Sequence, residues 1–85
     1  MANYPRVTIF SKPDCCLCDE AKTNLLAVKE DVPFVLEEVD VSQDSRLLDE
    51  YGQEIPVIFI EGRKAFKFRV DPKALKRKLA RLSRG

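Results

Sequence analysis

Three thiols crowd into four positions of this 85-residue chain, in the run Cys15-Cys16-Leu17-Cys18. Thiolate rather than thiol is the nucleophile, so the chemistry depends on what stabilises an anionic sulfur. Cys15 and Cys18 have the C-x-x-C spacing, one helical turn apart, and come within disulfide range if Cys15 caps a helix. A helix N-terminus supplies unpaired N–H groups and the positive end of the dipole, both favourable to S⁻. Lys12 adds positive charge nearby, while Asp14, Asp19 and Glu20 oppose it. On this reading Cys15, at the tip, attacks a substrate disulfide, and the more shielded Cys18 resolves the mixed disulfide. The rival for a lone C-x-x-C is half of a zinc site, but no second cysteine pair exists to complete one. The chain has no His, which removes Ser–His, Cys–His and His-ligated metal chemistry within one protomer.

The elements around the cysteines fit a redox role. Val7-Thr8-Ile9-Phe10 reads as a buried strand, and Ser11-Lys12-Pro13-Asp14 as the loop that ends it. Residues 16–30 read as a helix whose apolar face holds Leu17, Ala21, Leu25 and Val28. Pro33 ends that pattern, and residues 34–41 form a second strand carrying Phe34, Leu36 and Val39. A helix over 44–51 follows, with Leu47, Leu48 and Tyr51 at helical spacing and Gly52 as its C-cap. Ile55-Pro56-Val57-Ile58-Phe59-Ile60 is a strand, Glu61-Gly62-Arg63 a tight turn, and residues 64–69 the return strand of a hairpin. Asp71 caps the last helix with Pro72 in its first position, and Leu75, Leu79 and Leu82 face the core. The order is β-α-β-α-β-β-α. Its first half is a right-handed βαβ unit and its second an antiparallel hairpin closed by a helix, giving an α/β fold with helices on both faces of a four-stranded mixed sheet.

Composition sets the outer bounds. Residues 1–85 form one domain, too short for a second core. Charged residues make up 34% and the net charge is +1, too weak a field to argue for nucleic acid. The basic run of Lys73, Lys76, Arg77, Lys78, Arg81 and Arg84 reads as the solvated face of the last helix, with phosphate contact as its sharper alternative. Met1 to Arg6 leads straight into a strand and the longest apolar stretch is Ile55 to Ile60, so neither a signal peptide nor a membrane span is expected. Cysteines confined to one cluster suit a reducing compartment, and a cytoplasmic monomer is the expectation. Cys16 keeps three readings: a half-exposed small residue in the first turn, an alternative partner for Cys18, or a site of capping by glutathione. Pro56 keeps two. It is a trans proline opening a strand, or a cis proline whose preceding backbone faces the cysteines.

Ser11-Lys12-Pro13-Asp14-Cys15-x-x-Cys18-x-x-Ala21-Lys22-x-x-Leu25 resembles the active-site segment of glutaredoxins, and Ile55-Pro56-Val57-Ile58-Phe59-Ile60 with Gly62 resembles their cis-proline strand and hairpin turn. The resemblance spans nearly the whole chain. It implies a thioredoxin-like fold with strand order 2-1-3-4, a cis Pro56, and a groove between the Cys15 loop and the Ile55-Pro56 edge. It also implies a substrate or glutathione site involving Lys12, Cys16, Leu17, Ile55, Pro56, Val57 and Asp71. Lys12 would meet a glutathione carboxylate and the Val57 region its backbone. Two departures stand out. Cys16-Leu17 replaces the usual Pro-Tyr between the cysteines, and Lys67-Phe68 stands where a Gly-Gly pair is usual, with side chains that obstruct a close approach by glutathione.

Three functions follow. The first is a thiol–disulfide oxidoreductase that uses the Cys15/Cys18 dithiol on protein disulfides or mixed disulfides, with no covalently bound cofactor and no metal. Glutathione or a thioredoxin reductase system would be its electron donor. The second is an iron–sulfur or metal carrier assembled from Cys15 of two protomers and external glutathione thiols. The third is a binding module that keeps the fold with idle thiols.

Overall fold

The computed structural model describes residues 4–84, with side chains as far as Leu82; the side chain of Arg84, counted above in the basic run, falls outside the described part. The chain runs β1 (Arg6–Ser11), α1 (Cys16–Asp31), β2 (Val35–Asp40), a short 3-10 turn (Val41–Gln43), α2 (Ser45–Tyr51), β3 (Val57–Ile60), β4 (Arg63–Lys67) and α3 (Pro72–Arg84). The sheet order is β2-β1-β3-β4, with β1 parallel to β2 and antiparallel to β3. That is the topology expected above.

Alternation along β1 sorts the two faces. Val7 and Ile9 point toward α1 and α3 and join Ala21, Leu25, Val28, Ile58, Leu75 and Leu79 in the main core. Phe10 points the other way, stacking on Tyr51 of α2 at 4.9 Å and on Phe59 at 5.1 Å. A smaller cluster of Cys18, Val41 and Ile55, with Cys15, Leu47 and Tyr51 packed on it, lies at the carboxyl end of β1. Cys15 and Cys18 therefore sit in and against the small cluster, while the large one holds the sheet to its helices.

Several expectations shift in register. The buried stripe of α1 is Cys18, Ala21, Leu25 and Val28, and Leu17 is 36% exposed. Spacings of three and four from Ala21 admit either residue, and the N-cap at Cys15 turns Cys18 inward. Leu82 is 43% exposed rather than in the core, because Leu75 and Leu79 already complete the contact of α3 with the sheet. The turn is shorter than expected. Glu61 and Gly62 both take left-handed φ, 52° and 80°, so Arg63 belongs to β4. Strand β4 ends at Lys67 instead of residue 69, and β2 and β3 each start later than expected, at Val35 and Val57. A bulge lets Ile58 pair with Phe66 and Phe59 with Lys64, so the neighbours Ala65 and Phe66 both lean on the main core. Gly52 does cap α2, with its N–H donating to the Leu48 carbonyl at 2.8 Å, but at φ −55°. A Cβ there would run into that carbonyl, so the glycine is a matter of space rather than handedness. Among the described residues no helix is long and apolar enough to cross a membrane.

Candidate functional site

Ser11 ends β1, and Asp14, at φ 61°, turns the chain so that Cys15 becomes the N-cap of α1. Its sulfur does what a serine or aspartate oxygen does at other helix starts: it accepts the Cys18 backbone N–H, at 3.3 Å. That bond seats the sulfur at the dipole end of α1, beside its first unpaired N–H groups. The three thiols differ in access. Cys16 is exposed, Cys15 half-buried and Cys18 buried, all three unbridged.

Cys18 carries the clearest electrostatic signature. Burial first, then the hydrogen bond it shares with Cys15, push its thiol from 9.0 to about 11, against a smaller pull from the Lys12 backbone. Cys18 therefore keeps its proton at neutral pH. The folded chain holds that proton more tightly than the unfolded one. The resulting stabilisation is complete below about pH 9 and fades as pH rises through about 11, on the order of 2 kcal/mol in all. Denaturant unfolding of wild type and Cys18→Ser should thus diverge across that window, the wild type losing more stability. Parallel losses would assign the alkaline decline to other groups.

The other residues expected at the site fall into three groups. Lys12 is exposed on the loop and lines, with Ser11, Asp14, Cys18 and Asp19, a shallow cleft of about 190 Å³. Lys22 borders the same cleft, held by Glu38 at 3.0 Å. The Ile55-Pro56 peptide is cis, which decides between the two readings of Pro56. Val57 is fully buried and its backbone is paired on both sides, with Phe10 and Lys67. The Pro56 carbonyl accepts the Phe68 N–H at 2.8 Å. Among the described residues that leaves the Ile55 backbone, buried and beside the cysteine cluster, without a hydrogen-bond partner. Asp71 lies at the start of α3. Its carboxylate accepts the Lys73 and Ala74 N–H groups at 3.0 and 3.4 Å and caps α3.

Sequence reasoning named Phe68 only as a replacement. In the structure it stands at φ 68°, and the Arg69 N–H donates to the Lys67 carbonyl at 2.8 Å around it, a γ-turn closed in the left-handed region. For a residue with a side chain that conformation costs about 1–2 kcal/mol. The backbone here keeps a conformation suited to glycine while carrying a benzyl group. No pattern of polarity or spacing announces such a turn. Of the residues that line the cleft beside it, Leu17 was among those expected at the site, while Glu20, Arg69 and Val70 were not. Among the described residues no group of three or more Cys, Asp or Glu is arranged to hold a metal ion.

The comparisons with known proteins follow the same lines. The protein Ne2328 of Nitrosomonas europaea, solved by NMR, superposes with a TM-score of 0.80 at 20% identity, covering 93% of this chain and 95% of that one. A mutant thioredoxin of Halobacterium salinarum superposes with a TM-score of 0.66 at 21% identity, over 95% of this chain and 76% of that one. The fold is therefore thioredoxin-like. A glutaredoxin-like protein of Dictyostelium discoideum is 34% identical over 77 residues, 81% of this chain and 71% of that protein. The glutaredoxin-like domain family (DUF836) matches residues 6–80, which include both the cysteine turn and the cis-proline strand. With fold, family and a capped thiol pair in agreement on a redox-type function, the chain is a divergent member of the glutaredoxin-like family.

Proposed function

We propose that the protein reduces disulfides through the Cys15/Cys18 dithiol. The observation that carries this reading is the Cys15 sulfur capping α1 and accepting the Cys18 N–H, with the protonated Cys18 buried one turn behind it. The Cys15 thiolate attacks one sulfur of the substrate. The substrate S–S bond breaks, the first thiolate leaves, and Cys15 is held in a mixed disulfide. Cys18 then gives up its proton and attacks the Cys15 sulfur, expelling the second substrate thiolate, which takes up a proton. Two electrons pass from the pair to the substrate, the proton of Cys18 and one from water go to the two departing thiolates, and a Cys15–Cys18 disulfide remains. An external thiol, either glutathione or the dithiol of a thioredoxin reductase system, restores the starting pair.

The unpartnered Ile55 backbone supports an extended substrate, offering one donor and one acceptor beside the reacting sulfur. The reduced protein should turn over bis(2-hydroxyethyl) disulfide with a thiol donor present. Peptide mapping of the oxidised product should find Cys15 bonded to Cys18, with Cys16 free. A product lacking that bond would overturn the mechanism.

A further inference from the structure

A second cleft, of about 220 Å³, opens on the other side of the cysteine turn from Lys12. Leu17 and Ala21 of α1 form one wall, Phe68 and Val70 the other, with Glu20 and Arg69 at its polar rim. Small-molecule sites generally enclose roughly 300–1,000 Å³, so this cleft suits one large side chain rather than a whole ligand. No cysteine lines it, but both of its walls are tied to the cysteine turn. Leu17 lies two residues past Cys15 in the first turn of α1. Phe68 is tied through its N–H to the carbonyl of Pro56, whose neighbour Ile55 belongs to the cluster on which Cys15 packs.

The presentation of Phe68 is a feature that packing does not explain. The residue is 42% exposed, so the strained backbone gains little burial in return. Both sides of the turn are pinned, by the Pro56 carbonyl and by the Arg69-to-Lys67 hydrogen bond, and the Lys67 ammonium lies 5.6 Å from the ring centroid. Leu17 is likewise an exposed apolar residue on a turn otherwise built of charged groups and thiols. Strain of this kind persists where a residue clamps a ligand. Arg69 gives the loop wall a positive charge across from Glu20, and it has no ion-pair partner among the described residues.

We infer that Phe68 is a specificity-determining residue. With Leu17 it seats a large apolar side chain next to the disulfide cysteine of a polypeptide substrate, and Arg69 pairs with an acidic residue following it. The inference rests on the reductase reading above and names the substrate class of that same site. The bond changes are those already given, and Phe68 takes part in none of them.

Three synthetic peptide disulfides test it: one with Leu-Glu beside the cysteine, one with Ser-Glu, one with Leu-Lys. Wild type should show kcat/KM about tenfold higher for Leu-Glu than for Ser-Glu, carried mainly by KM, and a few-fold lower for Leu-Lys. In Phe68→Gly the Leu-over-Ser ratio should fall to about one, and Phe68→Tyr should keep it. Because glycine accepts the left-handed turn, Phe68→Gly should melt no lower than wild type, separating recognition from folding. Equal rates on Leu-Glu and Ser-Glu in the wild type, no penalty for Leu-Lys, or a ratio that survives Phe68→Gly would overturn the inference while leaving the reductase intact. Failure of the wild type on bis(2-hydroxyethyl) disulfide as well would sink the reductase reading, and this inference with it.

Discussion

Cys15→Ser should lower disulfide reduction by at least about 10³-fold, because it removes the nucleophile itself. A hydroxyl in the same place keeps the cap, accepting the same N–H, yet stays protonated and attacks no disulfide. Neither neighbour can replace it. Cys18 is buried and holds its proton to about pH 11. Cys16 is exposed but sits in the first turn rather than at the cap, away from the N–H that the Cys15 sulfur receives. Cys18→Ser should have a different signature. The first attack proceeds, resolution fails, and the protein accumulates as a mixed disulfide with its substrate, visible as added mass that dithiothreitol removes. Equal loss in both variants without a trapped adduct would mean that attack and resolution are not divided between these two sulfurs.

Leu25→Ala should be among the most damaging of the simple core truncations. Leu25 is fully buried in α1, between Ala21 and Val28, in the cluster that also holds Ile9, Ile58 and Leu75. Truncating such a leucine costs about 3 kcal/mol, the transfer free energy of the lost methyls plus the cavity they leave. A domain of this size has only about 5–10 kcal/mol to lose, and the melting temperature should fall by about 12–24 °C. Leu26, the next residue, is 50% exposed, turned about 100° round the helix from Leu25, and its truncation should change stability by under about 0.5 kcal/mol. Thermal unfolding followed by circular dichroism separates the two. Similar melting points would mean that α1 is docked in another register.

The architecture was legible because each of its signals is local. Runs of β-branched residues, Pro33 and Pro72 and the Asp71 cap mark boundaries without reference to the rest of the chain. The errors came where a neighbour decides. Leu17 and Cys18 are adjacent candidates for one stripe, and only the N-cap at Cys15 settles which turns inward. Leu82 keeps the helical spacing, but nothing in that spacing says where the sheet stops supporting α3. Ala65 and Phe66 break the alternation of a strand, and the bulge that reconciles them is a property of the pairing with β3. At the site, the cysteines were readable from type and spacing, and their proposed division of labour matches their unequal exposure. The γ-turn at Phe68 and the cleft beside it were not. They arise from a loop hydrogen-bonded to Pro56, on the far side of the hairpin.

In the proposed mechanism Cys18 is at once a reagent and a building block, since the sulfur that would close on Cys15 also fills space against Val41 and Ile55. Packing and electron affinity then become two sides of one thermodynamic cycle. Whatever free energy the small cluster gains from a well-seated thiol favours the dithiol over the disulfide, and makes the couple a correspondingly stronger oxidant. Substitutions at Val41 or Ile55, which touch no electron, would tune the potential of the protein through the fit of a single sulfur.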